Sequence, residues 1–278
     1  MNKQLKRLIA NRQSGLSLIE LMIALAISSF LILGITQVYI DNKRNYIFQQ
    51  NQAGNQENSR FVVMLLDSYF NKAGYRRAPY QSQEFAFKSI PASADCEEFG
   101  LESAITKAKG GTGICIRYQP LVSQELDCTG NTTPAFNDSM VFSETSNPIV
   151  MVLRYKADTK ANGLNGTLEC KVGNQSAELL TGIADFRMEF SVGKNLDKNI
   201  TSIIASDDWT SATGSILQVR YSALIASSPN QRSSDDSAAL EAWKKDASDT
   251  SKDRLTAADN RHLYQLASSA VSMRNLMP

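Results

Sequence analysis

The sequence predicts an α+β protein, with one long N-terminal helix packed on an antiparallel β-sheet head. Three observations carry that expectation. A basic leader precedes an apolar stretch, Leu16–Ile40, that is long enough to cross a membrane as helix. Apolar residues then recur at helical spacing as far as Ala73. Beyond Gly74 the apolar period changes to two, the alternation of half-buried strands.

Residues 1–15 carry Lys3, Lys6, Arg7 and Arg12 and no acid. From Leu16 to Ile40 the only ionisable side chain is that of Glu20, apart from the phenol of Tyr39. Asp41, Lys43 and Arg44 follow, with no small-x-small cleavage site of the secretory kind. The unopposed leader cations place residues 1–15 in the cytoplasm and the chain after Ile40 outside, giving a single-pass anchor in the inner membrane. A carboxylate near the centre of a spanning helix costs about 2.5–3.5 kcal/mol, so Glu20 requires a reason. A local one is the capping box Ser17-Leu18-Ile19-Glu20 at a helix start. A functional one is a charge pair with an amine created by cutting the chain after Gly15.

In the second half of the helix, 41–74, Phe61, Val62, Leu65, Leu66, Tyr69, Phe70 and Ala73 form a stripe that reads as core packing. Residues 49–58 (QQNQAGNQEN), with Gly54, are its weak point by propensity. Gly74 is the expected C-cap and Pro79 the stop. In the head, 75–278, the expected strands are Ile114–Tyr118, Ile149–Lys156, Phe186–Val192, Leu217–Ile225 and His262–Asn275. Gly110-Gly111, Asn162-Gly163 and Asn165-Gly166 are turn signals. Residues 227–260 are polar and charge-mixed, and read as a solvated excursion holding at most a short helix.

Composition excludes several classes of function. Lys+Arg at 29 against Asp+Glu at 28 argues against nucleic acid as a primary partner. His262 is the single histidine, too few for most zinc sites, and no Gly-x-Ser-x-Gly elbow, phosphate-binding loop or His-Glu-x-x-His motif occurs. No enzyme, metal or cofactor is expected. Asp207-Asp208 and Asp235-Asp236 lack calcium-loop spacing and read as solvated surface. Arg76-Arg77 beside Tyr75 and Tyr80 is a basic–aromatic cluster, either ordinary surface or a contact for DNA or a neighbouring subunit. The even set Cys96, Cys115, Cys128 and Cys170 lies on the outer side, where disulfides form, with three possible connectivities. Nearness in sequence favours Cys96–Cys115 and Cys128–Cys170.

The string Gly15-Leu16-Ser17-Leu18-Ile19-Glu20, between a basic leader and an apolar run, resembles the class III signal of type IV pilins. The resemblance implies cleavage by prepilin peptidase between Gly15 and Leu16, N-methylation of Leu16, and a subunit-assembly role for Glu20. Leu16 departs from the family's usual phenylalanine, and Gly34 and Gln37 stand where many pilins have a helix proline. Glu57-Asn58-Ser59-Arg60-Phe61 with Ala73-Gly74-Tyr75 is similar to the "ENxRF … AGY" stretch of PilW-type minor pilins. Weaker similarities follow in the same order at Ile116-Arg117-Tyr118, Cys128-Thr129-Gly130, Leu168-Glu169-Cys170, residues 182–186, residues 218–222 and residues 271–275. These imply a minor pilin that primes assembly of a type IV pilus and sits near its tip, supporting twitching motility, adhesion or DNA uptake. The implied partners are prepilin peptidase, the major and other minor pilins, the inner-membrane assembly platform, and the membrane itself through Leu16–Ile40. A minor pseudopilin of a type II secretion system and a tip adhesin or DNA receptor are the alternatives.

Overall fold

The computed structural model describes residues 17–78, 80–137, 139, 147–158, 160, 163–194 and 199–276. Gly15, Leu16, Pro79 and Asn162 lie outside the described residues. Helix α1 runs Leu18–Phe70, and the chain divides into two compact units within it, between Gln49 and Gln50. The first unit is helix alone, and its residues from Leu18 to Tyr46 are all exposed.

The second unit begins with the last turns of α1 and continues into the sheet. The short helix α2 (Gln83–Ala86) precedes β1 (Ile105–Lys107), β2 (Gly113–Tyr118) and β3 (Ile149–Lys156). Strands β4 (Gly166–Val172), β5 (Gln175–Gly193), β6 (Ile200–Ala205) and β7 (Ser215–Ala226) follow. Helices α3 (Ala238–Lys245) and α4 (Asp249–Ala258) lead to β8 (Tyr264–Ser272). All pairings are antiparallel, in the order β1-β2-β3-β4-β5-β7-β8, with β6 added to β5. Strand β5 is long enough to serve both halves: residues 175–183 pair with β4 and 183–193 with β7.

Alternation along the strands supplies two different faces. Phe186, Met188 and Phe190 of β5, with Val219, Tyr221, Ala223 and Ile225 of β7, meet Val62, Leu66 and Phe70 of α1 in the main core. The helical positions 62, 66 and 70 lie at four-residue spacing, the geometry of one face. Phe61, also in the expected stripe, sits at its flank and is 38% exposed. The helix runs unbroken through 49–58 because Asn55 and Ser59 are buried against the head. The Asn55 amide donates to the Leu263 carbonyl at 3.0 Å, and the Ser59 hydroxyl to the Asn55 carbonyl at 2.7 Å. Tertiary contact therefore overrides a weak local propensity.

Three sequence expectations need correction. Residues 227–260 are not a solvated excursion, because α3 and α4 pack Leu240, Trp243, Leu255 and Ala258 onto Ala184, Leu224 and Leu164, a second core on the opposite face. Asn165-Gly166 is not a turn: Gly166 opens β4 opposite Ile183, and a Cβ there would lie 2.6 Å from the Tyr155 ring. Gly74 does not cap α1 directly. The helix ends at Phe70, a turn follows, and Gly74 (φ 71°) lies where a Cβ would strike the Leu276 side chain.

Candidate functional site

Among the described residues one helix, α1, is long and apolar enough to cross a membrane. Its apolar half displays Leu18, Ile19, Leu21, Met22, Leu25, Phe30 and Ile32 to the surroundings, with none of them packed on protein. Two hydroxyls in this half bond back to the helix itself. The Ser29 hydroxyl donates to the Ala26 carbonyl at 2.8 Å, and Thr36 to the Ile32 carbonyl at 2.7 Å. Hydroxyls bonded back to their own helix leave no free donor to desolvate, which suits insertion in lipid. At the C-terminal end of this half Gln37 donates to Asp41 at 3.2 Å, and the charges Asp41, Lys43 and Arg44 follow.

Glu20 sits in the first turn of α1. Its Oε2 accepts the Ser17 backbone N–H at 3.0 Å, while the Ser17 carbonyl accepts the Leu21 N–H at 3.1 Å. This is the glutamate-to-backbone half of a capping box, which satisfies an otherwise orphaned donor. The remaining acceptor capacity of the carboxylate faces outward from an apolar helix. The group is therefore both a local cap and an available anion. The peptide link between Gly15 and Leu16 lies outside the described residues.

The disulfides join Cys96 to Cys115 and Cys128 to Cys170, with Cα–Cα separations of 6.0 and 6.2 Å. The first ties the chain before β1 to β2, and the second ties the loop after β2 to β4. Each cross-link removes freedom from the unfolded chain, worth about 2–4 kcal/mol.

The other candidate groups are built into the fold. Arg77 is buried; its guanidinium lies 4.0 Å from the Phe136 ring, and its backbone N–H donates to Gln119 at 2.7 Å. Arg76 donates to the Gln81 carbonyl at 2.5 Å. The Arg76-Arg77 pair is thus a structural element rather than an open basic patch. His262 places Nδ1 2.5 Å from the Ser227 carbonyl, a contact to backbone. Among the described residues no group of His, Cys, Asp and Glu side chains could hold a metal.

Two buried charged side chains, Arg117 and Asp185, have roles that the sequence did not assign. Arg117 donates to the carbonyls of Ser103 at 2.6 Å, Lys88 at 2.5 Å, Phe87 at 3.1 Å and Gly100 at 3.2 Å. Burial pulls its pKa down to about 10, so it remains a cation at neutral pH. It gathers the loop between α2 and β1 by its carbonyls. Asp185 accepts Trp243 Nε1 at 2.8 Å and Arg254 at 2.8 Å, which pins α3 and α4 to the sheet. Periodicity could not reveal either role, because each depends on partners far apart in the chain.

The docked half of α1 has a polar latch. The Tyr221 hydroxyl donates to Asp67 Oδ1 at 2.7 Å, and Ser269 to Asp67 Oδ2 at 3.3 Å. Burial, then the hydrogen bond to Asp67, pushes the Tyr221 phenol well above its ordinary pKa. Lys72 pairs with Glu125 at 2.6 Å, and the Asn275 amide donates to the Asn71 carbonyl at 2.8 Å and the Ala73 carbonyl at 3.1 Å.

Comparison with known proteins places a prokaryotic N-terminal methylation motif over residues 10–36. That span contains Gly15, Leu16 and Glu20, so the N-terminal segment is a signal of the type IV pilin kind. No curated protein sequence matches the chain. Among solved structures the chain is similar to the type IV-like pilin TTHA1219 from Thermus thermophilus, with a TM-score of 0.42 and 11% identity over 80% of this chain and 97% of that one.

Proposed function

We propose that the chain is a minor pilin of a bacterial type IV pilus, processed by prepilin peptidase and acting in the complex that primes assembly near the fibre tip. The observation that carries this reading is the methylation motif over residues 10–36, which coincides with a helix whose exposed apolar surface carries Glu20 near its start. In this reading the peptidase cuts between Gly15 and Leu16, and the new amine on Leu16 is methylated. Leu16–Ile40 holds the subunit in the inner membrane, N-terminus in the cytoplasm and head in the periplasm, until apolar helices bundle into the fibre.

Glu20 sets the axial register. Among the described residues of its own chain it accepts the Ser17 N–H, a neutral donor. A neighbour's terminal amine offers a charge-assisted bond, roughly twice as strong. An apolar bundle makes an unpaired carboxylate costly, so subunits settle where the pair forms. The remaining partners are the major pilin, the other minor pilins and the assembly platform.

The test is the amount of major pilin sheared from cells lacking this gene, against complemented cells. Loss of surface pili with normal total pilin is expected. Normal pili with lost protein secretion would replace this reading with a pseudopilin role.

A further inference from the structure

Strand β6 differs from the rest of the sheet. β5 pairs with β7 along one side over 183–193, and with β4 and then β6 along the other. β6 pairs with β5 alone, so its outer edge carries no strand among the described residues. Its sequence, Ile200-Thr201-Ser202-Ile203-Ile204-Ala205, has no charge and no proline. Ile200 is 49% and Ile203 51% exposed.

An exposed edge of this composition is a template for strand addition, and soluble proteins normally protect it. The β1 edge of this sheet shows such protection. Beside β1 the chain folds back: Glu97 N–H donates to the Lys107 carbonyl at 2.9 Å, Thr106 to the Glu98 carbonyl at 2.9 Å, and Cys96 is bonded to Cys115. On β8 the Gln265 amide folds onto the Leu266 carbonyl at 3.3 Å. On β6 the Thr201 hydroxyl turns inward, to the Val192 carbonyl at 3.0 Å.

We propose that the outer edge of β6 is a docking strand for β6 of a second copy of this chain, paired antiparallel. The ends of the strand choose the partner and its direction. Lys194 lies exposed just after β5, near where β6 begins, and Asp207 and Asp208 lie exposed where β6 finishes, with Lys107 Nζ donating to the Asp207 carbonyl at 2.5 Å. Antiparallel pairing sets the basic end of one copy toward the acidic end of the other, whereas parallel pairing sets like against like. Residues opposite each other in an antiparallel pair share a face. A register centred on Ser202 therefore places Ile200 opposite Ile204 and Thr201 opposite Ile203 of the second copy. Both half-exposed isoleucines then gain a β-branched cross-strand neighbour, a favoured pairing. Six residues make a small contact, so the pairing acts where membrane anchoring already concentrates the chains. It rests on the membrane anchoring proposed for Leu16–Ile40 and not on the pilus role.

The test places a benzophenone amino acid at position 202 of the full chain in intact cells. Illumination is expected to yield a product of twice the chain's mass. The same chain carrying Ile203→Lys should lose that product while keeping both disulfides and its membrane association. Asp207→Lys with Asp208→Lys should weaken it, and adding Lys194→Glu should restore it. Absence of the double-mass product, or its persistence with Ile203→Lys, would overturn the proposal. Capture of a different protein instead would assign the edge to that partner and equally overturn pairing between copies. Failure of the charge swap to restore the product would overturn the antiparallel arrangement.

Discussion

Helix α1 contains two regions with one backbone conformation and opposite fates. From Leu18 to Ile40 its apolar side chains are exposed, and the hydroxyls of Ser29 and Thr36 bond to the helix itself. From Asn55 to Phe70 every third or fourth residue is buried, and polar residues reach across to the sheet. The first region is apolar all round, so it requires an environment without water on any side. The second is apolar along one stripe, so one protein surface satisfies it. Composition around the helix, more than helix propensity, decides which surroundings each half needs.

Truncation should separate the two regions most sharply. Phe70→Ala should destabilise the head by about 3–5 kcal/mol through the lost burial and the cavity left behind. Leu25→Ala in the exposed region should leave head stability unchanged. Urea unfolding of the detergent-solubilised chain, followed by the fluorescence of the buried Trp209 and Trp243, measures both. Equal effects would abolish the distinction.

Asp185→Ala should cost about 3 kcal/mol, because it strands the partly buried Arg254 and frees Trp243 Nε1. The loss should appear as faster hydrogen exchange in α3 and α4 rather than in α1. Tyr221→Phe removes the hydroxyl bond to Asp67 while keeping the ring, and should cost about 1 kcal/mol. Its exchange signature should fall on the docked end of α1.

The pH response should be smaller still. Burial alone would raise the Glu125 carboxyl, but hydrogen bonds from Lys72 and the Leu121 N–H hold it below the ordinary range. Glu169 is likewise held down against burial, by Lys156 and Arg154. A carboxylate depressed in the folded state contributes stability that is full above its unfolded pKa, near 4.3, and is lost as pH falls through the folded pKa. Stability should therefore decline below about pH 4.5. Lys72→Met should flatten that decline, measured as the urea midpoint against pH.

Legibility in the sequence follows the same division. Strand β3 was readable as Ile149–Lys156 because its apolar run, Ile149 to Leu153, is nearly continuous, the pattern of a strand buried on both faces. The stripe ending α1 was readable because its spacing is local. Helices α3 and α4 were not, since Leu240, Trp243, Leu255 and Ala258 are sparse among charged and small residues, and only the sheet's second face gives them a core. β6 was missed for a related reason: it is short and exposed and alternates poorly. The N-terminal methylation motif over residues 10–36 was legible because it resides in local order: glycine, then an apolar helix with one early acid.

The central claim concerns that acid. The decisive measurement is the amount of the Glu20→Ala chain in sheared pili, relative to the unmodified chain, with leader removal followed in the same cells by mass. The account predicts normal cleavage after Gly15 and strongly reduced incorporation. Normal cleavage with unchanged incorporation would show that Glu20 only caps its own helix.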